Sequence, residues 1–329
     1  MNRPEGSEPG ATSKLFKTGI RPLFITGPTA VGKSAVAQQL AETIDGEIIS
    51  VDSMQVYRGL DIGTAKPSLA ERRRVPHHMI DVVDLAESFD AARFVQLARR
   101  AVLDVQGRGR VPVVCGGTGL YFKAFLEGLG RAPGADWNLR AELEATPVPE
   151  LLGELEGRDP VTFAKIDKKN PRRLVRALEV IRLTGQPFSA QRRAWMTIPG
   201  SLPACPGFFC LTRARDDLRR RIDARVDDMF ARGLVEETNR LLARGLEQNR
   251  TALQAIGYRQ AVEHLRGIRS LAETITVVKQ RTWQFARRQM TWFRRQLSVD
   301  WMALSPEDSA SAAAARVAAQ IRRTDSKKL

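Results

Sequence analysis

Histidine and cysteine, the residues that most often bind transition metals or build nucleophilic triads, are scarce in this sequence. It contains 3 His and 3 Cys among 329 residues. Only Cys205 and Cys210 are close in sequence, and no His or Cys pair elsewhere has the spacing of a zinc site, which argues against a metal centre of that type. So few histidines also argue against a Ser-His-Asp triad. Cys115, Cys205 and Cys210 are therefore interpreted as reduced, mostly structural thiols.

Long apolar runs are missing too. No segment reaches the length needed to span a bilayer, and the polar residues 1–20 contain no run of signal-peptide length. We therefore expect a cytoplasmic protein without a membrane partner and with a flexible N-terminus over 1–20. A hydrophobic fraction of 43% in 329 residues is enough for a large core, in one domain or two.

Acidic residues are outnumbered, because 52 Lys and Arg stand against 37 Asp and Glu, a formal net charge of +15. A cytosolic protein this basic usually meets a polyanion, so RNA or DNA is the leading candidate partner. A well-solvated basic surface without such a partner is the alternative.

The clearest motif present is GPTAVGKS at residues 27–34. It fits the phosphate-binding pattern G-x-x-x-x-G-K-[ST], between an apolar run and a helical pattern. Loop N–H groups at a helix start suit a polyphosphate or pyrophosphate, Lys33 can reach the outer phosphate, and the Ser34 hydroxyl can hold Mg²⁺. The motif does not name the ligand, and a Gly-rich turn that merely begins a helix is the alternative.

The order of patterns predicts an α/β fold, a P-loop NTPase-like parallel sheet flanked by helices. Short apolar runs alternate with helical patterns from about 21 to 124 and return at 201–302, which together form the catalytic core. Residues 125–200 carry charged helical patterns and no clear strand, so we predict a helical insertion domain there. The Ala- and Ser-rich residues 303–329 are expected to form a flexible tail.

Two further segments should join the phosphate loop at the carboxyl ends of the strands, where such sheets bind ligands. Asp52 ends the run EIISVD, and its carboxylate suits either Mg²⁺ or a proton from a nucleophile. A plain turn cap is the alternative for Asp52. The second segment, GGTGLYFKA, offers Thr118 and Lys123 to an anion or a nucleotide, although an ordinary strand-to-helix turn looks alike.

Two segments are basic and contain no acid. Residues 168–176 hold 5 Lys or Arg, and residues 278–296 hold 6 together with 4 aromatics. Guanidiniums beside flat rings suit phosphate contact and base stacking in RNA, although the rings can instead belong to the core. On a helix, one face of the second segment would carry Arg281, Phe285, Arg288, Trp292 and Arg295.

A third stretch, RARDDLRRRIDARVDDM, places Arg221 and Arg225 one helical turn apart. One or both can point into the cleft, where bidentate N–H donors would stabilise a departing pyrophosphate. The spacing equally allows an ion-pair lattice with Asp217, Asp223 and Asp227.

Seven blocks in this order resemble the bacterial tRNA dimethylallyltransferases, also called tRNA isopentenyltransferases. They are GPTAVGKS, DSMQVYRGLDIGTAKP, PHHMIDVVD, GGTGLYFKAFLEGL, NPRRLVRALEV, LQAIGYRQ and KQRTWQFARRQMTWFR. The resemblance implies transfer of the dimethylallyl group from dimethylallyl diphosphate to N6 of adenine 37, in tRNAs reading codons that begin with U. The product is N6-dimethylallyladenosine, diphosphate is released, no ATP is needed, and a monomer with Mg²⁺ suits the family.

The resemblance also implies roles for residues. Asp52 would be the base that deprotonates N6, while Thr29 and Arg221 would hold the diphosphate. The diphosphate site would comprise Gly27, Pro28, Thr29, Ala30, Val31, Gly32, Lys33 and Ser34, with Ser34 as metal ligand. The implied tRNA contacts are Asp52, Ser53, Met54, Gln55, Thr118, Arg140, Arg172, Arg173, Leu174, Val175, Arg176, Gly257, Tyr258, Arg259, Lys279, Arg281 and Arg288.

Two features qualify the resemblance. Many relatives have Pro after the acid where this chain reads ADWNLR, which leaves the role of Arg140 open, and the zinc finger of eukaryotic members is missing, which favours the bacterial form. A small-molecule or nucleoside kinase with the same loop is the competing hypothesis, and the acid-free basic segments argue against it. An RNA-binding module that uses the loop as a switch is a more distant third.

Overall fold

The computed structural model of the protein describes residues 19–129, 133–190 and 207–326. The N-terminus predicted to be flexible lies outside these residues, except for Gly19 and Ile20. The chain divides into two compact units. The main unit combines Met1–Phe125 with Pro203–Leu329, and the insertion unit is Leu126–Leu202.

A six-stranded parallel sheet with the order β3-β2-β4-β1-β5-β6 forms the centre of the main unit. Its strands are β1 Leu23–Thr26, β2 Gly46–Val51, β3 His77–His78, β4 Val111–Gly116, β5 Phe208–Arg213 and β6 Asp300–Leu304. In the central strand β1, Ile25 pairs with Cys115 on one side and with Phe209 on the other. Strands covered on both faces read as continuous apolar runs, which is why the four inner strands were predictable.

Helices follow the strands and cover the sheet. In the main unit they are α1 Lys33–Thr43, α2 Leu69–Arg74, α3 Ala91–Gly107, α4 Gly119–Glu127, α9 Arg215–Ala231, α10 Leu234–Leu242, α11 Tyr258–Leu265, α12 Leu271–Gln296 and α13 Ala310–Ser326. The last two residues of α4 belong to the insertion unit. A capping box of Ser270 with Glu273 begins the longest helix, α12. In the described ranges, no helix is both long enough and apolar enough to cross a membrane.

The prediction of a flexible tail over 303–329 is wrong for residues 303–326. They contain the end of β6, which pairs with β5, and all of α13, which packs on α1. Ala313, Ala314 and Val317 are buried in the main core. Low hydrophobicity suggested a tail, but small alanine side chains let two helices approach closely, and each still removes apolar area from water. Residues 327–329 lie outside the described part.

The insertion unit contains helices only among its described residues. They are α5 Trp137–Ala145, α6 Val148–Arg158, α7 Pro160–Lys165 and α8 Pro171–Thr184. Helix α8 begins at an Asn170 cap followed by Pro171 and ends at Gly185 with φ 69°, a conformation in which glycine avoids a Cβ clash. Leu143, Leu155 and Leu178 are fully buried in the separate core of this unit.

Candidate active site

The phosphate loop turns between the end of β1 at Thr26 and the start of α1 at Lys33. Gly27 and Gly32 have φ values of 150° and 104°. A Cβ on Gly27 would lie 2.7 Å from the carbonyl oxygen of Leu211, so this close approach of loop and strand requires glycine. The first N–H groups of α1 have no intrahelical acceptor and point out of its N-terminus, where an anion is favoured.

The Lys33 ammonium folds over this loop and donates a hydrogen bond to the carbonyl of Pro28 at 3.3 Å. Burial lowers the pKa of Lys33, and the Arg225 cation lowers it further, while Cys115 and Asp52 act in the opposite direction. Within the described residues, Lys33 forms no ion pair. A desolvated cation without a paired carboxylate gains strongly from an incoming anion, so Lys33 is suited to bind phosphate.

Two arginines of α9 also face the loop. Arg221 donates its Nε hydrogen to the carbonyl of Ala30 at 3.0 Å. Burial lowers the pKa of Arg225, and the nearby Asp52 carboxylate opposes that shift. Arg225 therefore lies within electrostatic reach of both Asp52 and Lys33. Arg221 is exposed at the rim of the loop, whereas Arg225 is partly buried.

The alternative ion-pair lattice on α9 does not involve these two arginines. Asp217 pairs with Arg213 at 2.9 Å, Asp223 with Arg219 at 3.1 Å, and Asp227 with Lys279 at 2.7 Å. The three acids thus pair with other cations. Among the described residues, Arg221 and Arg225 form no ion pair within the 4.0 Å limit for such a contact, which leaves both guanidiniums for a ligand.

Asp52 directly follows β2 and is partly exposed. Its Oδ1 accepts hydrogen bonds from the N–H groups of Met54 at 2.8 Å and Gln55 at 3.2 Å. Asp52 is therefore a turn cap, as the alternative interpretation held, but through one oxygen only. Within the described chain, Oδ2 accepts no hydrogen bond, so it remains available for a proton or a cation.

Residues 116–119 lead from the end of β4 into α4, and we call them the second loop. This loop is hydrogen-bonded to the turn that contains Asp52. The N–H groups of Gly117 and Thr118 both donate to the carbonyl of Val51 at 3.2 Å, and the Thr118 hydroxyl accepts the N–H of Ser53 at 3.2 Å. Because β2, β4 and β1 are neighbours in a parallel sheet, their carboxyl ends share one edge. The three segments expected to converge are indeed brought together there.

Gln289 of α12 joins the phosphate loop to the second loop, and it is not among the residues predicted from the sequence. Its Oε1 accepts the N–H of Thr29 at 2.9 Å, and its Nε2 donates to the carbonyl of Gly117 at 2.9 Å. A signal was present in the sequence, because Ala286, Gln289 and Phe293 occupy the helix face that is buried. A glutamine between apolar positions of a buried face must find polar partners.

Ser34 lies exposed in the first turn of α1. No group of three or more His, Cys, Asp or Glu side chains in the described ranges could hold a metal ion. Mg²⁺ commonly uses only one or two protein ligands and takes the rest from substrate phosphates and water. The residues therefore fit a magnesium ion that arrives with a diphosphate and meets the Ser34 hydroxyl.

The predicted cationic and aromatic face of α12 lies largely in solvent. Arg281, Arg288 and Arg295 are exposed, Phe285 is 38% exposed, and the Arg288 guanidinium lies 5.9 Å from the Phe285 ring centre. Trp292 is instead partly buried against the second loop, because a Cβ on Gly119 would come within 2.2 Å of its ring. We call Arg281, Phe285, Arg288 and Arg295 the basic face.

The block around 257–259 divides into buried and exposed members. The Tyr258 hydroxyl donates to Glu237 at 2.5 Å and accepts the N–H of Gly63 at 3.1 Å, so this fully buried side chain anchors a loop. The Tyr258 side chain is thus unavailable for the tRNA contact implied for it. Arg259 is exposed, and Lys279 is bound to Asp227.

Several implied tRNA contacts of the insertion unit have internal roles. Leu174 and Val175 belong to the core of that unit, so contacts by their side chains are excluded. Arg140 and Arg176 bind the fully buried Glu179 at 2.8 Å and 2.5 Å, which makes them structural cations. Arg172 and Arg173 are exposed, and they remain available to a partner.

Comparison with known proteins agrees on one family. The family model IPP transferase matches residues 55–296. The tRNA dimethylallyltransferase of Geobacter metallireducens is 48% identical over 290 residues, which cover 86% of this chain and 92% of that protein. The one from Pelotomaculum thermopropionicum is 45% identical over 284 residues, covering 85% of this chain and 90% of that protein.

Solved structures agree as well. The tRNA isopentenylpyrophosphate transferase of Bacillus halodurans superimposes with a TM-score of 0.66 at 39% identity, covering 92% of this chain and 97% of that one. A eukaryotic dimethylallyltransferase acting on tRNA gives a TM-score of 0.76 at 28% identity, with 93% and 79% covered. Because the family model spans more than half of the chain and the relatives match it nearly end to end, the protein belongs to the IPP transferase family of prenyltransferases.

Proposed function

We propose that the protein transfers the dimethylallyl group of dimethylallyl diphosphate to N6 of adenine 37, in tRNAs that read codons beginning with U. The observation that carries the proposal is the meeting of an anion site with a carboxylate at one edge of the sheet. Lys33 and Arg225 lie within electrostatic reach of Asp52. A site of this kind can bind a diphosphate and receive a proton from the nucleophile on the same side of the sheet.

The cations of the cleft would act on the leaving group. When the allylic C–O bond breaks, its electron pair stays on the diphosphate, whose negative charge must be stabilised. The loop N–H groups, Lys33 and Arg225 are the donors for that charge, and Arg221 would hold the diphosphate at the rim of the loop. Mg²⁺ held at Ser34 would supply further charge neutralisation of the diphosphate.

Asp52 would act on the nucleophile. The adenine N6 forms the new bond to the allylic carbon and loses a proton, for which the free Oδ2 of Asp52 is the acceptor. The two peptide N–H groups on Oδ1 hold the carboxylate in one orientation. The adenine must leave the anticodon stack to reach this position, and unstacking is the usual cost when an enzyme modifies a base.

The basic face of α12 is the surface best suited to the tRNA. Its guanidiniums would contact phosphates, and Phe285 can stack with an unpaired base. Arg172 and Arg173 would add contacts from the insertion unit, and Arg259 from the main unit. We propose a monomer, as the family resemblance implies, whose tRNA substrate would be met in the cytoplasm.

The test is mass spectrometry of an unmodified tRNA transcript that carries adenines 36 and 37. It is incubated with the protein, Mg²⁺ and dimethylallyl diphosphate, without any nucleoside triphosphate. We expect the mass of one dimethylallyl group to be added at adenine 37. No gain in mass, together with consumption of ATP in a parallel reaction, would identify a kinase instead.

A further inference from the structure

We propose that Gln289 is a positioning residue that fixes the spacing between the phosphate loop and the second loop, and thereby aligns the bound diphosphate with Asp52. The inference rests on the proposed function, since it concerns the alignment of leaving group and base. Gln289 need not touch either substrate. It acts through the two backbone segments to which it is bonded.

Both ends of the Gln289 amide are used, and each bond reaches a different loop. Oε1 accepts from Thr29, which follows β1, and Nε2 donates to Gly117, which follows β4, each at 2.9 Å. Gln289 is only 7% exposed, so water cannot readily replace either partner. A buried amide with both ends satisfied holds its partners at one distance.

The space between the two loops fits a side chain with the length of glutamine. A Cβ on Gly117 would lie 2.6 Å from Nε2 of Gln289 and 3.6 Å from Nζ of Lys33. Glycine at 117 therefore gives both side chains room against the second loop. Methionine would fill the same space without either hydrogen bond, and asparagine would be one methylene too short to reach both loops.

The second loop connects Gln289 to the turn that contains Asp52. Gly117 and Thr118 bind the carbonyl of Val51, and the Thr118 hydroxyl binds the N–H of Ser53. The residue between these two anchors is Asp52. If the second loop shifted, the Asp52 turn would shift with it, relative to the phosphate loop and its ligand.

Gln289 and the basic face lie on different sides of α12, so the positioning role and tRNA binding depend on different residues. Gln289 lies on the buried face of α12, whereas Arg288 and Phe285 are on the exposed one. A substitution at Gln289 that leaves the helix intact therefore leaves the basic face unchanged. The inference predicts a loss of turnover with little loss of tRNA affinity.

The experiment compares wild type, Gln289→Met and the control Gln96→Met, an exposed glutamine of helix α3. For each we would measure kcat and KM for dimethylallyl diphosphate, Kd for tRNA, Kd for inorganic pyrophosphate by calorimetry, and thermal unfolding. Gln289→Asn is the second variant, used if Gln289→Met does not fold. It keeps the amide and loses only the reach.

For Gln289→Met we expect kcat to fall by about 30- to 100-fold, because a misplacement of about 1 Å can cost that much. Pyrophosphate affinity should fall about 5-fold and tRNA affinity by less than about 2-fold, because the first depends on the loop and the second on the basic face. Gln96→Met should match wild type in every measurement.

The inference is overturned if folded Gln289→Met keeps kcat within about 2-fold of wild type, or if tRNA affinity falls in step with kcat. The wild-type reaction separates this result from a failure of the proposed function. If wild type itself transfers no dimethylallyl group, the pyrophosphate affinities of wild type and variant still test the positioning role. Equal affinity in wild type and variant would then overturn the positioning role.

Discussion

Arg221 donates its Nε hydrogen to the carbonyl oxygen of Ala30 at 3.0 Å and so lies on the rim of the phosphate loop. Arg225, one turn along α9, lies deeper and acts electrostatically on Asp52 and Lys33. The spacing along the helix does not show which arginine faces the phosphate loop. The hydrogen bond of Arg221 and the electrostatic effect of Arg225 distinguish their positions. They should therefore have different kinetic effects.

We expect Arg221→Ala to raise KM for dimethylallyl diphosphate about 10-fold with kcat nearly unchanged, since a rim contact serves binding. Arg225→Ala should lower kcat about 100-fold, because the charge near the reacting atoms matters most in the transition state. Steady-state kinetics at saturating tRNA would measure both. The assignment fails if the two variants exchange these effects.

Asp52→Asn separates the base from the turn cap. Asparagine keeps an Oδ1 that can accept the N–H groups of Met54 and Gln55, but it loses the negative charge. We expect kcat to fall by about 10²- to 10⁴-fold, the usual contribution of a general base, with diphosphate and tRNA binding preserved. Single-turnover kinetics and binding assays would measure this. Turnover close to wild type would remove Asp52 from the role of base.

Arg288→Ala should weaken tRNA binding and lower the slope of log Kd against log salt by about 1, as expected for one lost phosphate contact. Arg73→Ala is the matched control, because Arg73 is exposed on a different helix, α2. Titrations at several salt concentrations would compare them. An unchanged slope for Arg288→Ala would make the basic face an ordinary solvated surface.

In the insertion unit, Arg176→Ala and Arg172→Ala should have opposite consequences. Arg176 binds the buried Glu179 at 2.5 Å, so its loss should destabilise the unit by about 2 kcal/mol, the value of a hydrogen bond to a charged group. Arg172→Ala should leave stability unchanged and weaken tRNA binding. Hydrogen exchange of the α8 amides together with tRNA binding would distinguish them, and equal protection in the two variants would contradict this division.

Glu47 should make stability depend on pH in the acidic range. Burial tends to raise its pKa, but hydrogen bonds from Arg108 and His78 outweigh this and lower it from 4.5 to about 2. A carboxyl whose pKa is lower in the folded state stabilises fully above the unfolded value, and the effect is lost as pH falls towards 2. The shift corresponds to about 3 kcal/mol at neutral pH.

Urea unfolding of wild type and Glu47→Gln between pH 2 and pH 7 would measure that contribution. We expect the difference in unfolding free energy to be largest near pH 7 and to shrink steadily below about pH 5. A difference that stays constant over this range would show that the ion pairs of Glu47 do not titrate with folding.

The sequence predicted the parts of the molecule that rest on local patterns. Buried strands, the phosphate loop and the exposed side of α12 follow from composition and periodicity. The edge strand β6 and the helix α13 were not predicted from the sequence. The Ala-rich composition of α13 does not show that tertiary packing makes this helix part of the core. Gln289 was not predicted as a site residue, because its two hydrogen-bond partners lie 260 and 172 residues away along the chain. Sequence alone also does not reveal that Arg140 and Arg176 share Glu179.

The packing of α13 on α1 also has a consequence for biosynthesis. Ala313, Ala314 and Val317 complete the same core as Val36 and Leu40. The first helix of the phosphate site is thus covered by a helix that is translated after the whole insertion unit. Until then the nascent chain exposes an apolar helix face, the kind of surface that chaperones bind. Final folding of the main unit must therefore follow translation of the insertion unit and of α13.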